Sequence, residues 1–155
     1  MIRVQYITGD ATQPIGHGAR MIMHVVGDDG QWSTGFACAL SGRYMAPEDS
    51  YRRWATMGSE FALGAVQFVD CGDGLTVANM LSRHGVTRPP SQVALRYDAL
   101  EECIAKVREY AAERKCSVHA PRIGCGSAGG EWALVSDTIR RELSWRDVPV
   151  FIYDL

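Results

Sequence analysis

Residues 20–40 read RMIMHVVGDDGQWSTGFACAL, and residues 118–131 read VHAPRIGCGSAGGE. Each opens on apolar residues, breaks into a loop bearing glycine, and resumes in residues that suit a helix. The nearly continuous apolar run at 20–26 fits a strand covered on both faces, since a half-exposed strand would alternate. Covered strands belong to sheets layered between helices. Both loops follow strands and leave the sheet at the same end, and ligands of open α/β sheets sit in that crevice beyond the carboxyl ends.

The rest of the chain agrees. Residues 2–8 alternate apolar and polar and end at Gly9-Asp10, a half-buried strand and a turn. Pro47-Glu48-Asp49 opens a helix, with proline in the first turn and acids at the positive end of the dipole. Strands are predicted at 65–69 and 75–81, joined by Cys71-Gly72-Asp73-Gly74. Residues 83–93 read as an irregular loop. Residues 97–115 give the clearest helix, with Leu100, Ile104, Val107 and Ala111 on one face. A short strand at 118–120, a helix at 131–143 and a strand at 148–153 complete the order. The expectation is a single domain over 1–155, a three-layer α/β/α sandwich around a mixed sheet of about six strands.

Hydrophobic residues make up 46% of the 155, enough for a core without staples. A net charge of −2 argues against nucleic-acid binding through a basic surface. Five cysteines with no CxxC pair read as reduced thiols of a cytoplasmic protein. The first residues, MIRVQYITGD, begin as a strand rather than a signal peptide, and no apolar run is long enough to span a bilayer. His17, His24, His84 and His119 do not fall at metal-ligand spacings with the cysteines, so neither a metal nor another cofactor is expected.

The loop at 121–130 holds four glycines in ten residues: Gly124, Gly126, Gly129 and Gly130. A glycine-rich loop feeding a helix exposes backbone N–H groups at the positive end of a dipole, which suits phosphate. Two such loops facing each other would clamp a diphosphate. Neither matches GxGxxG or GxxxxGK[ST], so Rossmann and P-loop readings fail. The alternative is that the glycines only permit tight turns.

Gly9-Asp10-Ala11-Thr12, the loop from His24 to Gly35, and Pro121-Arg122-Ile123-Gly124-Cys125-Gly126 together resemble a macrodomain. More narrowly, they resemble the branch that includes terminal ADP-ribose protein glycohydrolases and ADP-ribose-1″-phosphate phosphatase. Asn79-Met80 and Arg96-Tyr97-Asp98-Ala99-Leu100 extend the match nearly end to end. The resemblance implies that Asp10 accepts a hydrogen bond from the adenine amino group, with the Ala11 backbone beside it. Trp32, Ser33, Thr34, Gly35 and Phe36 of loop one, with Gly124, Cys125, Gly126, Ser127, Ala128 and Gly129 of loop two, would enclose the diphosphate and distal ribose. Tyr153 either packs on adenine or fills the core. Trp32 either covers the ligand or folds back on its own core.

The same resemblance implies hydrolysis at C1″ of the distal ribose, releasing mono-ADP-ribose from an acidic side chain or cleaving a 1″-phosphate. In the glycohydrolase branch a lysine after the fourth strand and an aspartate in loop two carry catalysis. Here those places hold Ser82-Arg83-His84 and Ala128, so a covalent lysine adduct is not expected. Gly27 stands where related proteins often carry a polar residue. Ser82 could bind a water, and His84, with a reference pKa of about 6.5, suits a general base. The plain readings are a strand end and an exposed loop residue. Cys125 reads more simply as a small loop residue than as a nucleophile. The expected partner is ADP-ribose or an ADP-ribosylated protein, with no membrane involved. A metal-free hydrolase with a positioned water, a non-catalytic ADP-ribose reader, and a regulatory domain for another nucleotide are the competing readings.

Overall fold

The computed structural model describes residues 1–32, 35–85 and 93–155. In chain order the elements are β1 (Gln5–Thr8), β2 (Arg20–Gly27), α1 (Phe36–Ser41), α2 (Ala46–Met57), β3 (Val66–Asp70), β4 (Leu75–Arg83), α3 (Tyr97–Arg114), β5 (Ser117–Ala120), α4 (Trp132–Glu142) and β6 (Val150–Asp154), with a short 3₁₀ turn at Ser144–Arg146. The six strands form one sheet in the order β1-β6-β5-β2-β4-β3. All neighbours run parallel except β3, which pairs antiparallel with β4. This is the mixed six-stranded α/β sandwich expected from the sequence.

The period of two along β2 sorts its side chains between the layers. Met21 and Met23 join Leu100, Ile104, Val107, Val135 and Ile139 of α3 and α4 in one core. Ile22 turns the other way to meet Leu40 of α1, and Val26 meets Tyr51 of α2. Burial on both faces explains the missing alternation. Tyr51 is fully buried, and its hydroxyl donates to the Gly27 carbonyl at 2.5 Å, which fastens α2 to the end of β2.

Three boundaries differ from expectation by two residues or more. β4 runs on to Arg83 rather than ending at residue 81, so Arg83 belongs to a strand and not to the following loop, and β1 and β6 both start late. β1 begins at Gln5 rather than at residue 2: among the described residues it pairs with β6 alone, Gln5 standing opposite Phe151, one residue into that strand. Ile2 instead donates its N–H to the Ser144 carbonyl. β6 starts two residues late because Val148 donates to the Leu143 carbonyl and Pro149 has no N–H to give. No helix among the described residues is long and apolar enough to cross a membrane.

Candidate functional site

β1, β6, β5, β2 and β4 are all parallel, so their carboxyl ends share one rim. Loop one leaves β2 there and loop two leaves β5 there. They meet across a cavity of about 340 Å³. Gly35, Phe36 and Ala37, at and within the start of α1, form one wall. Gly124, Gly126, Ser127 and Ala128 form the facing wall, with His24 and Arg83 also lining the space. The size is at the low end for small-molecule pockets. Among the described residues α4 contributes nothing to the lining, so loop two offers its own backbone rather than a helix end.

The glycines of loop two divide into two kinds. A Cβ on Gly130 would lie 2.6 Å from the Gly124 carbonyl oxygen and 2.5 Å from Leu95 Cδ2, so backbone approach demands glycine there. A Cβ on Gly126 would meet nothing within 4 Å. Gly126 therefore leaves open space where a ligand can reach the backbone. Among the described residues, the N–H groups of Cys125 and Gly126 have no backbone acceptor. Cys125 itself donates its thiol to the Ile123 carbonyl at 3.3 Å, and burial pushes its pKa up against the weaker pull of Arg122. It is not an activated nucleophile.

His24 belongs to a buried chain whose direction is fixed by backbone carbonyls. Gln67 Nε2 donates to Ser50 O at 3.0 Å, and Asn79 Nδ2 donates to Pro47 O at 3.1 Å and to Gln67 Oε1 at 3.0 Å. Asn79 Oδ1 is thus an acceptor, and His24 Nε2, 2.6 Å away, must carry the proton. The ring is neutral, its pKa lowered to about 4 by burial, with Asn79 opposing and the charge of Arg83 assisting. Nδ1 remains as a lone-pair acceptor on a residue that lines the cavity.

Asp10 lies at the far end of the rim, after β1. Its Oδ1 accepts from the Thr12 N–H at 2.9 Å and the Thr12 hydroxyl at 2.7 Å, and its Oδ2 faces Arg43 Nη2 at 3.4 Å. The Thr12 hydrogen bonds, with help from Arg43, hold its carboxyl below the usual carboxylate range. Ala11 is buried beside it. Arg122 links this end to the cavity: it lines the wall, forms a fork with Asp154 at 2.8 and 3.1 Å, and lies 5.2 and 5.0 Å from the rings of Tyr6 and Trp132.

Several sequence candidates sit elsewhere. Tyr153 is 4% exposed, its hydroxyl accepting from Ile15 N–H at 2.9 Å and lying 2.7 Å from His119 Nδ1, so it fills the core. Trp32 folds back on its own core. Its Nε1 donates to the Ala37 carbonyl at 2.9 Å and its ring packs on His24 and Tyr51. Ser82 is fully buried, its hydroxyl donating to the Met80 carbonyl at 3.2 Å, and it does not line the cavity. His84 Nδ1 lies 3.0 Å from Asp28 Oδ2, away from the cavity lining. Gly129 takes a left-handed φ of 77° at the turn and is not on the wall. Ser33 and Thr34 lie outside the described residues. Among the described residues no cluster of three or more His, Cys, Asp or Glu could hold a metal.

His24 and Arg83 are the polar wall residues that motif reading missed. The available signal was a histidine inside an apolar run and an arginine closing another, since a buried polar group needs a partner or a cavity.

No family model matches the chain. It is 31% identical to mouse (Mus musculus) chromodomain-helicase-DNA-binding protein 1-like over 163 residues, covering 97% of this chain and 17% of that protein. The zebrafish (Danio rerio) counterpart is 28% identical and is covered over 15% of its length, so the chain spans only a small part of the curated relatives it matches. A Bacteroides thetaiotaomicron protein of unknown function superposes with a TM-score of 0.96 at 44% identity, over 99% of both chains. The Thermosipho africanus DarTG, solved in complex with ADP-ribose, shares the fold at a TM-score of 0.71 and 16% identity, over 87% of this chain and 38% of that one. A macrodomain protein from Streptomyces coelicolor superposes with a TM-score of 0.87 at 41% identity, again over 99% of both chains. Sequence and architecture agree along the whole length, and the chain belongs to the macrodomain family.

Proposed function

We propose that the chain binds ADP-ribose, free or attached to a protein, along the shared rim. The observation that carries this is the convergence of loop one and loop two on a single cavity. Open backbone at Gly126 and the first turn of α1 offer N–H groups to a diphosphate. Asp10, charged at neutral pH, would take the adenine amino group. It follows β1, four strand positions from β4, which is about 19 Å at the usual strand spacing. An elongated ligand bridges such a span. The complex of the T. africanus DarTG with ADP-ribose supports the choice of ligand.

We further propose hydrolysis of ADP-ribosyl esters, removing mono-ADP-ribose from acidic side chains. With Ser82 buried and His84 turned to Asp28, the chemistry would rest on positioning a water and stabilising developing charge. His24 and Arg83 are the side chains on the wall suited to that. The absence of Ser82 and His84 from the lining also favours a second reading, a non-catalytic ADP-ribose reader.

Calorimetry with ADP-ribose, ADP, AMP and NAD tests the ligand, and ADP-ribose should bind most tightly. Incubation with a glutamate-modified protein and with ADP-ribose-1″-phosphate tests turnover. Release no faster than with Asp10→Ala leaves the reader.

A further inference from the structure

Arg83 is 7% exposed and lines the cavity. Its Nη1 donates to the His84 carbonyl at 3.1 Å. Among the described residues no carboxylate lies within ion-pair distance of its guanidinium. The nearby acids are otherwise engaged. Asp28 accepts from Gly85 N–H and pairs with His84, and Asp29 accepts from Gln31 N–H. Asp29 Oδ1 shares the space beside Gly27 with the guanidinium but forms no ion pair with it, and a cation largely withdrawn from water without a carboxylate in direct contact is costly.

The guanidinium is also held in place. A Cβ on Gly27 would lie 2.8 Å from Arg83 Nη1 and 3.0 Å from Cζ. A side chain at residue 27 would have to displace the guanidinium and Asp29 Oδ1, 3.2 Å from the same point. Arg83 therefore stands at the opposite end of the rim from Asp10, beside the neutral acceptor His24, and faces a loop that offers N–H groups.

We propose that Arg83 is the specificity determinant for the far end of the ligand, its guanidinium taking an anionic oxygen carried on the distal ribose. This rests on the ADP-ribose reading. The planar fork suits a phosphate or a carboxylate equally. In the first case the anion is a 1″-phosphate; in the second it is the carboxylate that leaves when an ester is cleaved. His24 Nδ1 would accept from a ribose hydroxyl alongside.

The test compares wild type with Arg83→Gln and Arg83→Lys. Affinities for ADP, ADP-ribose and ADP-ribose-1″-phosphate are measured by calorimetry, kcat and KM on a glutamate-linked substrate by release assay, and melting of the ligand-free proteins by calorimetry. If the anion is a phosphate, Arg83→Gln weakens ADP-ribose-1″-phosphate at least tenfold and changes ADP and ADP-ribose less than twofold. If it is the leaving carboxylate, kcat falls at least tenfold at constant KM. Arg83→Lys recovers part of either loss, and Arg83→Gln without ligand melts at or above wild type. Equal weakening of ADP would put the guanidinium on the diphosphate and overturn the proposal. So would unchanged affinities together with unchanged kcat, or a large fall in melting temperature, the mark of a structural pin. Wild type failing to bind ADP-ribose at all would instead remove the broader reading.

Discussion

Nε2 of His24 lies 2.6 Å from Oδ1 of Asn79, and that contact decides which ring nitrogen is available to a ligand. Asn79 can only accept there, because its amide nitrogen already donates to Pro47 and Gln67. A residue of β4 therefore sets the tautomer of a residue of β2.

Replacing Asn79 with Ala should leave the His24 N–H, the carbonyl of Pro47 and the side-chain oxygen of Gln67 without their partner. A destabilisation of about 2–3 kcal/mol is expected from these unmet polar groups, measured by urea unfolding. A loss below about 0.5 kcal/mol would mean that the chain of hydrogen bonds does not hold the tautomer.

Two histidines predict acid sensitivity. His24 and His119 both have pKa values lowered to about 4, by burial above all. Unfolded, they titrate near 6.5. Between those values the unfolded chain binds more protons, so stability is full above about pH 6.5 and is lost as pH falls toward 4. With both groups contributing, the slope approaches roughly 2 kcal/mol per pH unit in mid-window. Unfolding free energies measured from pH 7 to 4 should show this, and His119→Gln should flatten the curve. An unaltered slope in that variant would remove His119 from the account.

Asp10→Ala should weaken ADP-ribose binding by roughly 1–3 kcal/mol, the loss when a charged acceptor is deleted. Calorimetry gives the number directly. Equal affinity would place adenine elsewhere.

Gly126 and Gly130 should respond in opposite ways. Gly126→Leu projects into open space, so folding should survive while ligand binding is lost. Gly130→Ala forces a Cβ against the Gly124 carbonyl and Leu95, and overpacking of that kind costs typically 1–3 kcal/mol. Melting curves and calorimetry on both variants separate the roles. Retained binding in Gly126→Leu would count against loop two as the diphosphate wall.

The layering and the meeting of the two loops were legible because strand-loop-helix units of parallel strands deliver their loops to one rim. Side-chain direction at the strand ends was not. The β2–β4 register runs from Val26 opposite Leu81 to Gly27 opposite Arg83, passing over Ser82. That one irregularity brings Arg83 to the cavity while Ser82 stays buried, and periodicity alone does not reveal a skipped residue. Trp32 and Tyr153 each had two reasonable destinations, and a nearby carbonyl or histidine chose the interior for both. Gly130 and Gly126 look alike as letters, and only the neighbouring backbone tells the turn-maker from the open wall.

The parallel run of five strands also leaves the molecule with a back. β4 begins at the turn of residues 71–74 and ends at the cavity, roughly 26 Å away for a strand of its length. A fluorophore, affinity handle or surface tether attached at Asp73 would hang from the side remote from the cavity. The protein can thus be immobilised through that face with the rim that carries the cavity unobstructed.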